Sequence, residues 1–228
     1  MTRDRIGRIT GLCLFSLMLL LQLKGFFDVK APLGYLRWSL VTILFALFFS
    51  AYVIRSQAVV YANKIRETVL PLFCAGLPMG IILVPDLIYN YQINIGSLTF
   101  IFMSYSENFI IEGMVLMAIG EIITIIGMFS LKRSFSIFTE VRNLVTTGIY
   151  RYIRHPLYSG EILSMVGFLI LYPTLWSIAT VSCFVIFQSI RAKNEEKKIA
   201  KEFPSYLSFK NATGFIWPKF PGYKEHQE

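Results

Sequence analysis

The stretch that decides the fold carries no charged residue over 162–190 and reads ILSMVGFLILYPTLWSIATVSCFVIFQSI. As one straight helix it would be about 43 Å long, which exceeds the hydrocarbon core of a bilayer, roughly 30 Å thick. Pro173 lies near the midpoint and disfavours a helical conformation at Tyr172. The sequence therefore predicts a helical hairpin, with arms over 161–171 and 174–190.

The composition around this stretch is typical of a membrane protein. Of the 228 residues, 55% are apolar and only 16% are charged, whereas about a quarter of the residues in a soluble domain are charged. The content of 20 Phe and 12 Tyr excludes a disordered chain. Cys13, Cys74 and Cys183 have neither metal-ligand spacing nor the pattern of a disulfide framework, so we expect no metal site and no thiol chemistry.

Four apolar segments before the hairpin are candidate membrane spans, which need about 20 mainly apolar residues. They cover 9–23, 38–54, 68–85 and 109–131. We interpret the first as a retained span, because residues 22–25 lack the small-x-small pattern of a cleavage site and further spans follow. The predicted fold class is an all-α, polytopic integral membrane helical bundle with four spans, a C-terminal hairpin and a cytoplasmic end. We expect an N-terminal part, 1–108, with three spans and an outer loop, and a core, 109–228.

The 22 basic residues outnumber the 14 acidic residues, and their positions predict the orientation of the chain. They lie between the apolar segments, so we interpret them as topology signals and lipid-surface contacts and expect no nucleic-acid partner. Loop 55–67, loop 132–154 and the tail after residue 190 are basic, and loop 86–108 has no basic residue. The positive-inside rule places both termini and the basic loops in the cytoplasm and 86–108 outside. Whether 87–106 forms an interfacial helix stays open.

Polar and ionisable residues cluster in two strips at the cytoplasmic ends of the hairpin. The first strip, 144–161, precedes the hairpin and reads LVTTGIYRYIRHPLYSGE, and the second strip, 191–198, follows it and reads RAKNEEKK. Since a hairpin returns its ends to neighbouring positions, we expect the two strips to meet. A helix end with Arg, His and backbone donors suits an anionic or zwitterionic ligand. Acidic residues from the second strip could then bind the amine and hydroxyl groups of that ligand.

Each part of the strips also has a purely structural interpretation. His155 could simply form hydrogen bonds at the membrane surface. Arg191 and Glu195 could be an exposed helix pair worth a few tenths of a kcal/mol. The tyrosines of the first strip could form an interfacial aromatic belt. The combination of both strips across one hairpin favours a ligand site.

The two strips resemble motifs of the isoprenylcysteine carboxyl methyltransferase family. Gly148-Ile149-Tyr150 and Arg154-His155-Pro156-Leu157-Tyr158 are similar to that family's Gly-x-Tyr step and its Arg-His-Pro-x-Tyr signature. Arg191 and Glu195-Glu196 are similar to its second motif. The order of the motifs agrees, and so does the apolar hairpin between them.

The resemblance covers about 125–210 and includes Phe203 and Tyr206 after the second motif. The chain has Phe203-Pro204 where the family usually has Phe-Gly, and its second aromatic residue there is Phe209 rather than Tyr. Related membrane phospholipid methyltransferases and sterol reductases carry variants of the same arrangement. The resemblance therefore identifies the superfamily and leaves the substrate open.

The resemblance implies that S-adenosyl-L-methionine binds in a pocket between the two motifs, roofed on the cytoplasmic side and open sideways to lipid. Arg191 and Glu195 are the expected catalytic residues, with Arg191 holding a substrate carboxylate and Glu195 orienting that arginine. If the nucleophile is an amine, His155 or Glu195 would be the base. The implied acceptor is lipophilic, enters from the bilayer and resembles an isoprenylcysteine. The expected cofactor-binding residues are Tyr150, Arg154, His155, Pro156, Leu157, Tyr158 and Glu196.

Three alternatives stay open. One is a phospholipid N-methyltransferase. The second is an NADPH-dependent membrane reductase of the sterol-reductase type, which normally has an Asp-Glu pair and a Trp-containing tail motif where this chain has Glu195-Glu196 and Tyr206. The third, a non-enzymatic membrane scaffold, leaves the pairing of the two strips unexplained. The acceptor, the methylated atom, the oligomeric state and the cellular membrane also stay open.

Glu121 lies near the middle of the predicted fourth span. An acidic side chain there costs at least about 2.5 kcal/mol if it faces lipid, so we expect it to face the bundle interior. Glu112 lies nine residues earlier and therefore on nearly the opposite face of the helix. Glu121 could line a channel for the substrate or bond to a carbonyl released by the Pro-rich third span.

Overall fold

The computed structural model describes residues 3–24, 26, 32–90, 99–102 and 106–219. Eight α-helices account for most of these residues, joined by short 3₁₀ turns and irregular segments. The helices are α1 (Arg3–Lys24), α2 (Pro32–Ile54), α3 (Ile65–Asn90), α4 (Thr99–Phe102), α5 (Ile110–Leu131), α6 (Pro156–Leu171), α7 (Leu175–Glu202) and α8 (Tyr206–Ala212).

Within the part of the chain that the structure describes, four helical segments are long and apolar enough to cross a membrane, by their length and composition. They are Arg5–Leu23, Gly34–Ile54, Ile110–Ser134 and Leu175–Glu202. The shorter α6 is also apolar, and α3 covers the predicted third span and continues through Pro71, Pro78 and Pro85. The all-helical, polytopic fold class is therefore confirmed. Most of the stretch 87–106, where the sequence allows an interfacial helix, lies outside the described residues.

The predicted hairpin is present as α6 and α7. The chain leaves the helical conformation between Tyr172 and Thr174, and α7 begins where the Thr174 hydroxyl accepts a hydrogen bond from the Ser177 N–H at 3.0 Å. Both arms extend further than predicted, because Pro156 starts α6 inside the first strip and the second strip continues α7 without a break. The two polar strips therefore occupy the adjacent ends of the two hairpin helices.

Glycines bring α5 and α6 into close contact. A Cβ atom at Gly113 would lie 3.0 Å from the Gly167 carbonyl oxygen, and one at Gly120 would lie 2.5 Å from the Gly160 carbonyl oxygen. Small residues at helix interfaces allow backbones to approach in this way within membranes. The first strip, which leads into α6, is thereby held against the end of α5.

The N-terminal helices hold the loop after α5 in place. Helices α1 and α2 run antiparallel, with Gln22 and Trp38 exchanging hydrogen bonds between their side chains and backbone carbonyls at one end. At the other end the fully buried Tyr52 accepts a hydrogen bond from the Ile137 N–H at 2.8 Å. This contact fixes the backbone of Ile137, whose carbonyl lies in the candidate site.

One ion pair connects the start of α3 to α7. Lys198 Nζ lies 2.7 Å from Glu67 Oε2 and also donates to the carbonyl oxygens of Tyr61 and Thr139. The same Glu67 oxygen accepts from the Asn63 N–H at 2.7 Å. The lysine, which is the last residue of the second strip, thus joins two loops and two helices.

The chain after α8 folds back over the first strip. The N–H groups of Arg154 and His155 donate to the carbonyl oxygens of Gly214 and Phe215 at 2.9 and 3.1 Å. The Gly214 N–H donates in return to the Tyr152 carbonyl oxygen at 3.0 Å. The segment 213–219 therefore covers the start of α6.

Candidate functional site

The two polar strips meet, as predicted, at the open end of the hairpin. Arg154 Nε donates to Glu196 Oε1 at 2.7 Å, and the His155 ring nitrogen Nε2 lies 3.3 Å from the same oxygen. The Tyr158 hydroxyl donates to Glu195 Oε1 at 2.6 Å. Both acidic residues of the second strip are therefore bonded to side chains of the first strip.

The Glu196 carboxylate is the centre of an outer cluster. Besides Arg154 and His155, it binds Lys210 of α8, with Nζ 3.0 Å from Oε2. Arg154 also donates to the carbonyl oxygens of Lys210 and Thr213. Since the carboxylate is buried and bonded on both oxygens, the cluster ties α6, α7 and α8 together. It borders a smaller cavity of about 450 Å³.

Arg191 is the centre of an inner cluster. Its Nη2 donates to the Ile137 carbonyl oxygen at 2.7 Å, and its Nε donates to Glu195 Oε1 at 3.1 Å. Its guanidinium carbon lies 4.9 Å from the centroid of the Tyr158 ring. Only 7% of Arg191 is exposed. The guanidinium is therefore held in one orientation by a carbonyl, a carboxylate and an aromatic face.

A cavity of about 500 Å³ extends from these clusters into the bundle. Its size is typical of small-molecule sites, which measure roughly 300–1,000 Å³. The His155 and Tyr158 rings stack on its wall, with centroids 5.3 Å apart and planes 4° apart. Of the expected site residues, those that line this cavity are Tyr150, Arg154, His155, Leu157, Tyr158, Arg191 and Glu195.

The two other expected site residues lie outside this cavity. Pro156 is buried at the first turn of α6, where its lack of an N–H is tolerated. Glu196 lines the smaller cavity, which Arg154 also borders. Glu195 therefore lines the large cavity, whereas Glu196 lines the smaller one.

The structure adds a hydrogen-bonded pair that the sequence interpretation missed. Gln188 Nε2 donates to Glu161 Oε2 at 2.5 Å, and both residues line the large cavity. Only 1% of Gln188 is exposed, and its Oε1 has no hydrogen-bond partner among the described residues. Helical spacing in the sequence could have indicated Gln188. It precedes Arg191 by three residues and Glu195 by seven, so the three side chains share one face of the helix.

Two tyrosines of the site stay neutral at physiological pH. Burial raises the pKa of Tyr150 well above its usual value, and the carboxylates of Glu195 and Glu161 raise it further. Burial also raises the pKa of Tyr206, and the negative charge of Glu196 acts in the same direction. These phenols can therefore pack against a ligand or donate hydrogen bonds, and they are unsuited to act as bases.

Comparison with known proteins gives the same assignment as the motifs. No curated protein matches the chain with significant sequence similarity. Residues 113–201, which contain most of α5, both motifs and nearly all of the hairpin, match the model of the isoprenylcysteine carboxyl methyltransferase family. This match confirms the family resemblance of the two strips and, together with the apolar helices, supports a membrane methyltransferase.

Proposed function

We propose that the protein is an S-adenosyl-L-methionine-dependent methyltransferase that methylates the carboxylate of a lipophilic, isoprenylcysteine-like acceptor at the cytoplasmic side of a membrane. One observation carries the proposal: a buried, oriented guanidinium, Arg191, lines a cavity that extends among apolar helices. Arginine binds carboxylates with two parallel hydrogen bonds and stays charged at physiological pH. A buried cation beside an apolar chamber suits an anionic head group on an apolar tail.

The residues of the chamber fit the cofactor. Tyr150, His155 and Tyr158 line the chamber wall with aromatic rings, which would contact the adenosine and methionine parts of the cofactor. The unpartnered amide oxygen of Gln188 and the carboxylate of Glu161 offer acceptors for its amino and hydroxyl groups. When bound there, the cofactor supplies an electrophilic methyl group on a sulfonium.

Arg191 would bind and orient the acceptor carboxylate. Its Nε and Nη2 are bonded to Glu195 and Ile137, and Nη1 has no hydrogen bond to the described residues. A carboxylate is already a nucleophile, so in-line displacement at a methyl group requires positioning and exclusion of water and no general base. Glu195 holds the Arg191 guanidinium in place. Tyr158 supports this arrangement by donating a hydrogen bond to Glu195 and by packing its ring against the guanidinium.

The outer cluster would keep water from the chamber. Arg154, Glu196 and Lys210 hold α8 and the following segment against the start of α6. His155 is packed between the Tyr158 ring and the Phe215 ring, at centroid distances of 5.3 and 5.2 Å. In this arrangement Glu196 acts on the cofactor site through His155 and Arg154.

The test begins with the protein purified in detergent. S-adenosyl-L-methionine should raise its midpoint of thermal unfolding, and NADPH should not. With a labelled methyl donor, a farnesylcysteine derivative with a free carboxylate should become labelled, and the label should be released as methanol by base. The matched control is the carboxamide of the same derivative, which should remain unlabelled. Stabilisation by NADPH alone, or base-stable label in a phospholipid amine, would contradict the proposal.

A further inference from the structure

The large cavity continues well below the two motifs. Gly127 of α5 packs against Leu157 of the first motif, and Glu121, which lines the same cavity, lies six residues earlier on α5. Six residues of helix correspond to about 9 Å. Gln22 of α1 and Arg37 of α2 line the cavity at this deeper end. The chamber therefore has an outer end at Arg191 and a deep end among α1, α2 and α5.

The deep end contains two ionisable side chains, each with one buried polar atom that has no hydrogen bond to the described residues. Glu121, 6% exposed, has a buried Oε2 without a hydrogen bond, and the buried Nε of Arg37 also has none among the described residues. The neighbouring polar side chains are satisfied by backbone carbonyls. Gln22 donates to Trp38, Thr124 donates to Gly120 and Ser164 donates to Met117.

Glu121 and Arg37 do not satisfy each other. They interact electrostatically across the cavity, but no ion pair with an N···O distance of 4.0 Å or less connects them. Buried charges are costly unless they are paired or hydrogen-bonded. An ionisable side chain within a membrane helix that faces the bundle interior is a candidate functional site. A hydrogen-bonding group placed between the two side chains would satisfy both.

We propose that the deep end of the cavity is a second subsite for the methyl acceptor, which binds a hydroxyl or amide group carried within the acceptor's apolar part. That group would donate to the Glu121 carboxyl and accept from the Arg37 guanidinium. The proposal rests on the proposed function in one respect, because it places the acceptor's reacting carboxylate at Arg191. Within the proposed class of lipophilic carboxylates, it predicts tighter binding of amphiphiles that carry a polar group in the tail than of acceptors with a purely apolar tail.

The test measures binding without turnover. Dodecanoate and ω-hydroxydodecanoate are titrated calorimetrically into the full-length protein in one detergent, and the ratio of the two dissociation constants is compared between variants. Partition into micelles affects every variant equally and cancels from this comparison. The wild-type protein should bind the hydroxylated acid about tenfold more tightly, because a hydrogen bond to a charged group is worth about that factor.

Glu121→Leu and Arg37→Met should each reduce this preference to near unity, and the double variant should add nothing further. The matched control is Glu112→Gln, which removes an exposed acid from the same helix and should retain the preference. A ratio of the two dissociation constants that is the same in the wild type, in Glu121→Leu and in Arg37→Met overturns the proposal. Failure of the proposed function is a separate result, because measuring the two dissociation constants requires neither the methyl donor nor methyl transfer.

Discussion

Arg191 and Tyr158 donate hydrogen bonds to the same oxygen of Glu195, and the guanidinium also lies 4.9 Å from the centre of the Tyr158 ring. This geometry couples the first motif to the second through one carboxylate. The tyrosine comes from α6 and the arginine and glutamate come from α7, so the hairpin itself assembles the group. A change at any of the three should alter the orientation of the other two.

Tyr158→Phe keeps the ring face against Arg191 and removes the hydrogen bond to Glu195. We expect kcat/KM for the acceptor to fall about tenfold, since one charge-assisted hydrogen bond contributes about 1.5 kcal/mol. The midpoint of thermal unfolding should change little. Tyr158→Leu removes the ring as well and should lower kcat/KM further, because a desolvated cation–π contact adds about 2 kcal/mol. Equal activity of the two variants would contradict a role for the ring.

Arg191→Lys retains the positive charge and loses the planar fork that bonds Ile137 and Glu195. Lysine cannot reproduce this two-sided support, so we expect kcat/KM for the acceptor to fall by about 100-fold, or about 3 kcal/mol. Affinity for S-adenosyl-L-methionine should stay within a few-fold of the wild type. Lys201→Met, which removes an exposed charge from the same helix, is the matched control for net charge and should remain active.

His155→Ala tests the cofactor site. The His155 ring stacks on Tyr158 and lies beside Glu196, so its removal opens the chamber wall. We expect affinity for S-adenosyl-L-methionine in a calorimetric titration to fall at least tenfold while the helical content is retained. Unchanged affinity would exclude His155 from the cofactor site. His155→Gln, which can keep a hydrogen bond to Glu196, should recover less than half of the lost binding free energy if ring packing dominates.

The Glu67–Lys198 pair predicts how stability depends on pH. Burial raises the pKa of Glu67, but the hydrogen bond from Lys198 and those from the Asn63 and Lys64 N–H groups outweigh it, so the net pKa is lowered from its usual 4.5. Because the pKa is lower in the folded protein, the carboxylate stabilises the fold fully above the unfolded pKa. That contribution is lost as the pH falls from about 4.5 through the folded pKa.

Lys198→Met should therefore lower the free energy of unfolding near neutral pH by about 1–3 kcal/mol. It should also reduce the additional loss of stability that the wild type shows below pH ~4.5. The measurement is the midpoint of thermal unfolding in detergent at a series of pH values. Glu67→Gln is the companion variant and should have a flatter pH profile in the same range. An unchanged profile in both variants would show that the pair does not control acid stability.

The topology is tested by cysteine labelling. In a background without Cys13, Cys74 and Cys183, Lys193→Cys should react with a membrane-impermeant reagent only from the cytoplasmic side, because the hairpin returns α7 to the side of the first strip. Residue 193 is exposed, so access does not limit the reaction. Labelling from the outside would show that the segment 162–190 crosses the membrane once.

Some features could be predicted because they depend on local chemistry. The break at Pro173 follows from the geometry of proline, and it is enough to make the hairpin and bring the Arg154-His155 end beside Glu195-Glu196. The burial of Glu121 follows from the cost of exposing an acid to lipid, and the structure shows it buried and Glu112 exposed. The helix boundaries were less accurate, because polar residues at the end of a membrane helix do not reveal where the helix stops.

By itself the sequence determined that the chain is a helical membrane protein, that a hairpin joins its two motifs, and that those motifs resemble one methyltransferase family. Each conclusion depends on residue type and spacing along the chain, which covalent geometry and hydrophobicity control directly. Only the tertiary structure decided that the Ile137 carbonyl supports Arg191, that Gln188 bonds Glu161, and that Arg37 shares a cavity with Glu121. These contacts join residues far apart in the chain through backbone groups and helix faces, and their formation depends on how the helices pack together.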